Sequence, residues 1–553
     1  RARSDLTEGR DQTEAGLDLL RDGDIVEAAD RFAAASALFA RGERRLTGPW
    51  TWAATVVPVV SQHRDAVAGL SSAGADVTAH AAAALGAVDT GGLGLQAGEV
   101  DIALVAALSR PLAEVDAALA DLSTVLEESR SPWLLAPLDH ELRSLDEQIA
   151  ELRPGLTEAR AAVALAPEML GASGRRTYLV LFTTPAESRG LGGFPGNYAE
   201  ITADGGRIDM VAFGRVAALE SRAEEIDVQI DAPAEFLSNY GNFGYRPDGL
   251  RPIGTGIIRN LTMTPNFPWV GETAASLYEQ IAGTHVDGVI AMDPFVLQAL
   301  LQYVGPVQLE SLPTALTTDN AADYLLREQY AIAEDTQTRV DAIEEAAEKA
   351  FGMLLESPLP DPATLVRDLG PLAAERRLMV WTREPAEQDM LRRFGLLGEI
   401  PHHDGADGWS FAVNNAGGSK IDSFLERTAH YESTTSPTLG TTTGTLRIDL
   451  TNTAPADGLP DYLIGNARGL PNGTSRLYVE FYSPMLLVSS SRDGRALSVT
   501  SGTERGWNVY GQYLDIPPGA TTSLTFVVNG HLERPDELVT WVQPLANPLR
   551  ISD

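Results

Sequence analysis

The sequence predicts a multidomain α and β protein, with a helical bundle or stalk over residues 1–168, an α/β domain over 169–435 and an immunoglobulin-like β-sandwich over 436–553. Three patterns predict it. Apolar residues recur every three or four positions in the first part. Strand-like and helix-like stretches alternate in the middle. Short alternating runs about ten residues apart, separated by Gly, Pro and Asn, fill the last part.

Taken in order, LTEGRDQTEAGLDLLRDGDIVEAADRFAAASALFARGERRL and LVAALSRPLAEVDAALADLSTVLEE place Leu, Ala and Val on one helical face and charges on the other. Breaks at GPW, TGGLGLQAGEV and SRSPW divide this region into several helices. From Thr177, TYLVLFTT reads as a buried strand, and NYAEITAD with GRIDMVAFG reads as a hairpin around Asp204-Gly205-Gly206. HVDGVIAMD is a further strand entering a helix, and Asp293 suits the N-cap of that helix. The run TTSPTLGTTTGT reads as a Thr, Ser and Gly linker to the sandwich. Beyond it, SRLYVEFYSP, WNVYGQYLDI and TSLTFVVNG are strands.

The 553-residue chain carries 76 Asp and Glu against 42 Lys and Arg, a formal charge of −34, which repels nucleic acid and anionic lipid headgroups. Without cysteine it has no disulfide, thiolate zinc site or cysteine nucleophile. No run of 18 apolar residues is present, so the sequence contains no segment that reads as a membrane span. Its opening on Arg1 reads as a trimmed or mature form.

The most informative loop is ESRGLGGFPGNYAEI, residues 187–201. Glycines 190, 192, 193 and 196 permit close approach to the backbone, with Glu187 and Arg189 at the entrance. Such a cleft suits sugar hydroxyls or phosphate. For glycosidic cleavage, which needs two carboxyl groups across the bond, Glu187 is the first candidate, with Asp248 in GYRPDGLRP or Asp335 as partner. The competing reading of each acid is half of a salt bridge. Asn260 and Thr262, in the proline-broken segment NLTMTPNFP, are candidates to bind a sugar chain. His402-His403-Asp404 reads as a solvated loop, and no metal site is expected from it. Ser188 lacks the strand-to-helix elbow of a serine nucleophile.

Six ordered stretches, AESRGLGGFPGNYAEITADGGRI, GIIRNLTMTPNFP, HVDGVIAMDPFVLQALLQYVGPVQL, DNAADYLLREQY, RRLMVWTREPAEQDMLRRFGLLGEI and NNAGGSKIDSFLERTAHYE, resemble the DUF4012 family of actinobacteria and related groups. The high Ala, Gly, Asp and Arg content with scarce Lys fits GC-rich actinobacterial coding. Family members usually carry an N-terminal transmembrane helix, which implies an extracytoplasmic protein, secreted or membrane-anchored on the wall side. Contact with membrane is then expected only through an N-terminal anchor missing from this sequence.

The family is in turn similar to the LytR-CpsA-Psr (LCP) glycopolymer transferases, which implies an LCP-like central domain. That resemblance implies that Arg189, Arg215, Arg259, Arg327 and Arg339 clamp a pyrophosphate, since guanidinium forks match its oxygens. In the LCP pattern, aspartates also hold a bridging Mg²⁺. Here Gly196-Asn197-Tyr198 and Gly214-Arg215-Val216 stand where two of them are expected. Losing two carboxylates weakens the case for Mg²⁺ and turns the reading from phosphate towards sugar, with Asn197 as a hydroxyl ligand.

The expected function is therefore a metal-independent, cofactor-free carbohydrate-active enzyme that cleaves or transfers glycosidic bonds of a wall polysaccharide of arabinan or arabinogalactan type. The first alternative is an LCP-type phosphotransferase using a polyprenyl-pyrophosphate-linked glycan and Mg²⁺. The second is a non-catalytic wall-glycan-binding protein.

Overall fold

The computed structural model describes residues 2–48, 58–87, 94–96, 98–131, 136–226, 228–241, 258–308, 314–332, 348–360 and 362–552. The chain divides into two compact units. One comprises residues 1–175 with 203–208 and 358–366, and the other comprises 176–202, 209–357 and 367–553.

The first unit is helical, with α1 (Ala2–Asp22), α2 (Ile25–Thr47), α3 (Pro58–Gly86), α4 (Ile102–Ala107), α5 (Ser109–Ser129) and α6 (Ala136–Met169). Asp24 caps α2 by accepting from the Glu27 N–H at 3.1 Å, satisfying an amide that has no intrahelical partner. The buried face of α2 follows the helical repeat through Ile25, Ala28, Phe32, Ala35, Leu38 and Gly42. Leu119, Leu122 and Leu126 of α5 pack with Leu142 and Ile149 of α6 in a shared core. Among the described residues, no helix is long and apolar enough to cross a membrane.

The second unit holds three sheets. The central one has the order β3-β2-β1-β4-β5, formed by β1 (Arg176–Arg189), β2 (Gly192–Asp204), β3 (Arg207–Arg215), β4 (Gly288–Met292) and β5 (Leu378–Thr382). It is mixed, because β4 runs parallel to β1 and antiparallel to β5. Its helices include α7 (Val216–Ile226), α8 (Ala234–Tyr240), α9 (Phe267–Ala282) and α10 (Pro294–Val304). Asp293 caps α10 as the sequence indicates, accepting from the N–H groups of Phe295 at 2.9 Å and Val296 at 3.3 Å.

The remaining sheets face each other across one core. The six-stranded sheet has the order β11-β10-β14-β8-β7-β16 and the five-stranded sheet β12-β13-β9-β6-β15. Their strands are β6 (Ala406–Asn415), β7 (Leu425–Thr435), β8 (Thr442–Asn452), β9 (Ser475–Ser483), β10 (Leu486–Arg492), β11 (Arg495–Ala496), β12 (Thr500–Glu504), β13 (Trp507–Ile516), β14 (Thr521–Gly530), β15 (Arg534–Thr540) and β16 (Leu549–Ile551). Phe411, Val479 and Phe481 of one sheet meet Leu446, Ile448 and Phe526 of the other.

Two strands of this double sheet, β6 and β7, precede residue 436. The threonine-rich run read as a linker is a hairpin, with Thr435 opposite Thr442 and Ser433 opposite Gly444. Backbone bonds from Ser436 N to Thr441 O and from Gly440 N to Ser436 O close it. The hydroxyl makes threonine compatible with linkers while its β-branching suits it to a pleated strand, and the pairing partner decides between them.

Candidate functional site

The loop that dominates the sequence reading begins at the end of β1. Glu187, Ser188 and Arg189 are buried there. Their partners come from the segment NNAGGSKID, at the end of β6 and just beyond. Lys420 Nζ lies 2.7 Å from Glu187 Oε2, and Arg189 Nη2 lies 2.9 Å from Glu187 Oε1. Ser188 gives both its N–H, at 2.8 Å, and its hydroxyl, at 2.7 Å, to Asp422 Oδ2. Asn415 Nδ2 donates to the same oxygen at 2.8 Å. The Gly190 N–H donates to Asn414 Oδ1 at 2.8 Å, and Gln543 Nε2 donates to the Arg189 carbonyl at 2.6 Å.

Glycines 190, 192 and 193 therefore admit the protein's own chain rather than a ligand, while Gly196 lines the cleft described below. A Cβ on Gly190 would lie 2.0 Å from the Met263 carbonyl oxygen, and one on Gly193 would lie 2.4 Å from the Thr184 carbonyl carbon. Gly190→Ala is expected to destabilise the protein by about 1–3 kcal/mol, because backbone rather than a flexible side chain must move. Chemical denaturation reads the effect. A variant as stable as its parent would mean that the turn slides away from Met263 freely.

The electrostatics agree with a sealed junction. Burial alone would push the Glu187 carboxyl up, but Lys420 and Arg189 outweigh it and bring the group down to about 2. Asp422 behaves oppositely. Burial dominates, lifting it to about 6 against the hydrogen bonds from Ser188 and Asn415. Its Oδ1 has no hydrogen-bond partner among the described residues, so nothing offsets the cost of burial on that side.

On the other side of Lys420 opens a cleft of about 310 Å³. Its polar wall is Asn197 of β2, Arg215 at the end of β3, Arg259, Asp293 and Lys420, and aromatic surface comes from Phe182, Phe194, Tyr330 and Tyr462. The Lys420 ammonium sits 4.2 Å from the Phe194 ring centroid, a cation–π contact. Glu220 pairs with Arg259 Nε and also accepts from its backbone N–H at 3.0 Å, which fixes that arginine at the wall. Asp293 is occupied: beyond its two capping bonds, Oδ2 accepts from Arg377 Nη1 at 2.7 Å.

The candidates thus separate. Asn197, Arg215 and Arg259 line the cleft. Glu187 and Arg189 belong to the junction behind it. Thr262 is buried and its carbonyl accepts from the Leu191 N–H at 2.9 Å. Asn260 precedes the 3₁₀ turn Leu261–Met263 without a side-chain capping bond, and its carbonyl accepts from the Met263 N–H at 3.1 Å. Arg327 pairs with Asp323 and donates to Asn547 Oδ1 at 2.7 Å and to the Ser423 carbonyl at 3.2 Å, tying a helical turn to the C-terminal segment. Asp248, Asp335 and Arg339 lie outside the described residues.

Lys420, Asp422, Tyr330 and Tyr462 were missed as individual residues. A signal for Lys420 was present: it is one of two lysines in a chain with 42 basic residues. A lysine where arginine is the habitual cation marks a place that needs a compact ammonium.

Residues 173–330 match the family described as "Protein of unknown function (DUF4012)". The match to DUF4012 is confined to this central segment. No curated protein matches the sequence. Among solved structures, the chain is similar to protein gbs0355 from Streptococcus agalactiae, at 13% identity and a TM-score of 0.24 over 42% of this chain and 77% of that one. The DUF4012 segment supplies β1 to β4 of the central sheet and the cleft residues Asn197, Arg215, Arg259 and Tyr330. Lys420 and Tyr462 come from outside it.

Proposed function

We propose that the protein works outside the cytoplasm on cell-wall polysaccharide, and that its cleft holds a phosphorylated sugar group, as on a polyprenyl-linked glycan. On this reading the central domain is LCP-like and the double sheet is an Ig-like brace. One observation carries it: Asn197, Arg215, Arg259 and Lys420 converge on a single cleft that also offers Phe182, Phe194, Tyr330 and Tyr462. Cations and an amide suit phosphate and hydroxyl oxygens, while aromatic surface suits sugar C–H faces or a lipid stem.

A glycosidase would need two carboxyl groups facing across the bond. Of the described acids, Asp293 lines the cleft with both oxygens engaged, and Glu187 is ion-paired behind Lys420. That mechanism therefore rests on Asp248 and Asp335. The donor set is equally poor for Mg²⁺. Among the described residues no three His, Cys, Asp or Glu side chains are placed to hold a metal ion, and Asp293 is already engaged by Phe295, Val296 and Arg377. The cations act on the ligand directly, through charge and hydrogen bonding.

Titration of the full chain with inorganic pyrophosphate and with a polyprenyl-pyrophosphate-linked glycan, each with Mg²⁺ or EDTA, tests the reading. Binding is expected with both, and Arg215→Gln should weaken it by about tenfold or more, the value of one charge-assisted hydrogen bond. Absence of binding to either would remove the proposal. EDTA-insensitive release of oligosaccharides from arabinogalactan would favour the glycosidase instead.

A further inference from the structure

We infer that the outer face of the five-stranded sheet carries a second sugar-binding site, a platform of Tyr478 and Tyr513 edged by the Arg476–Asp515 ion pair, which takes a neutral stretch of the wall glycan. The nature of the polymer rests on the preceding proposal, while the platform stands on its own geometry.

The outer face of this sheet is divided. Glu480, Tyr482 and Glu504 lie buried beneath Tyr240 and Thr264. Along the same strands the face then opens, and there it presents aromatics. Tyr478 of β9 stands opposite Tyr513 of β13, with ring centroids 4.9 Å apart. Tyr513 is 43% exposed. A solvated sheet face has no need of such residues. The six-stranded sheet faces outward with Thr443, Thr445, Arg447, Asp449 and Thr451 instead.

The rings are also held in place. A Cβ on Gly511 would lie 2.2 Å from the Tyr478 hydroxyl, so glycine at this position lets that side chain lie down across β13. Its hydroxyl reaches Thr500 Oγ1 at 3.3 Å. The Arg476 guanidinium sits 5.2 Å from the Tyr513 centroid and donates from Nη1 to both Asp515 oxygens, at 2.7 and 2.9 Å. Fixed aromatic surface beside a guanidinium–carboxylate pair matches a sugar, which offers a C–H face and hydroxyls that both donate and accept. The local pair is neutral in sum, and the chain carries −34 overall, so an uncharged polymer fits better than a polyanion.

The platform also connects to the cleft through one turn. Tyr462 lines the cleft, and the turn after it is linked through Gly417 and Ala416 to Arg476 of β9. The Ala467 N–H donates to the Gly417 carbonyl at 2.8 Å, and the Ala416 N–H donates to the Arg476 carbonyl at 2.9 Å.

Affinity electrophoresis of the full chain through gels containing purified wall arabinogalactan tests the inference, with melting temperature as the check on folding. Tyr513→Ala should lose about tenfold in retardation while Tyr513→Phe stays within about twofold, because the ring face and not the hydroxyl makes the contact. A folded Tyr513→Ala that migrates like the parent would overturn it, as would a parent that arabinogalactan does not retard. Pyrophosphate titration of the same variants separates the two proposals. Retained pyrophosphate binding with lost retardation places the glycan contact on the platform. Retardation by a parent that binds no pyrophosphate leaves the platform standing and the cleft reading rejected.

Discussion

Replacing Lys420 with methionine is expected to cost about 3–5 kcal/mol of stability, the range for breaking one partner out of a buried ion pair. Glu187 would keep only Arg189, at 2.9 Å, in a place where both groups are buried. The loss should depend on pH in a defined direction. Because the folded Glu187 carboxyl is depressed to about 2, its contribution is present above its unfolded value and is lost as pH falls through about 2. The gap between parent and Lys420→Met should therefore be largest near neutrality and shrink towards pH 3. Adding Glu187→Gln should restore part of the stability, since it removes the charge left behind. Denaturant titrations at the two pH values measure all three quantities. A Lys420→Met protein as stable as its parent at pH 7 would show that the junction does not depend on this pair.

Raising the pH from 5 to 8 is expected to destabilise the parent protein by an amount on the order of 3 kcal/mol from Glu504 alone. The cause is a buried acid network shared by β9, β12, α8 and the segment after Met263. Glu504 Oε2 accepts from Tyr240 at 2.9 Å and from Tyr482 at 2.8 Å, and the two phenols lie 3.0 Å apart. Thr264 donates to the other oxygen of Glu504. Tyr240 is also 3.2 Å from Glu480 Oε1, while Asn414 donates to Glu480 Oε2 at 3.0 Å. Two phenol protons cannot fill all the oxygen–oxygen contacts, so the geometry favours a further proton on a carboxyl.

Burial pushes Glu504 up to about 7, against hydrogen bonds from Thr264, Tyr482 and Tyr240, and it raises Glu480 well above the ordinary range. Glu235 adds to the rise of Glu504, while Arg376, itself buried, faces the same group with opposite charge. A raised carboxyl contributes its stability below the unfolded value and loses it as pH rises through the folded one. Asp422, at about 6, acts in the same sense. Glu504→Gln, uncharged throughout, should therefore match the parent more closely at pH 5 and exceed it at pH 8. Calorimetric melts across that range decide the matter. A parent that grows more stable from pH 5 to 8 would contradict the assignment.

Much of the fold is legible in local pattern. The helical repeat of α2, the cap at Asp293 and the alternation along β8 and β14 each depend on residues a few positions apart. Sequence words also marked the DUF4012 segment. The hairpin joining β7 to β8 escaped, because Thr, Ser and Gly composition is shared by linkers and strands until a partner is assigned.

The candidate site divides on the same principle. Of the arginines that the LCP resemblance marked, Arg215 and Arg259 line the cleft, whereas Arg189 and Arg327 are held by Glu187, Asp323 and Asn547. By itself, the sequence determined the elements, the excess of acid, the scarcity of lysine and the absence of thiol chemistry. Only tertiary structure decided what the glycine loop receives. Lys420 and Asp422 reach it from 233 and 234 positions away, and Gln543 from 354. Glycine grants close approach without specifying to what, and an acid beside an arginine is nucleophile or salt bridge according to what else is buried with it. Here a lysine, an aspartate and two asparagines from a distant strand end fill that space, and the open cleft lies on the other side of Lys420.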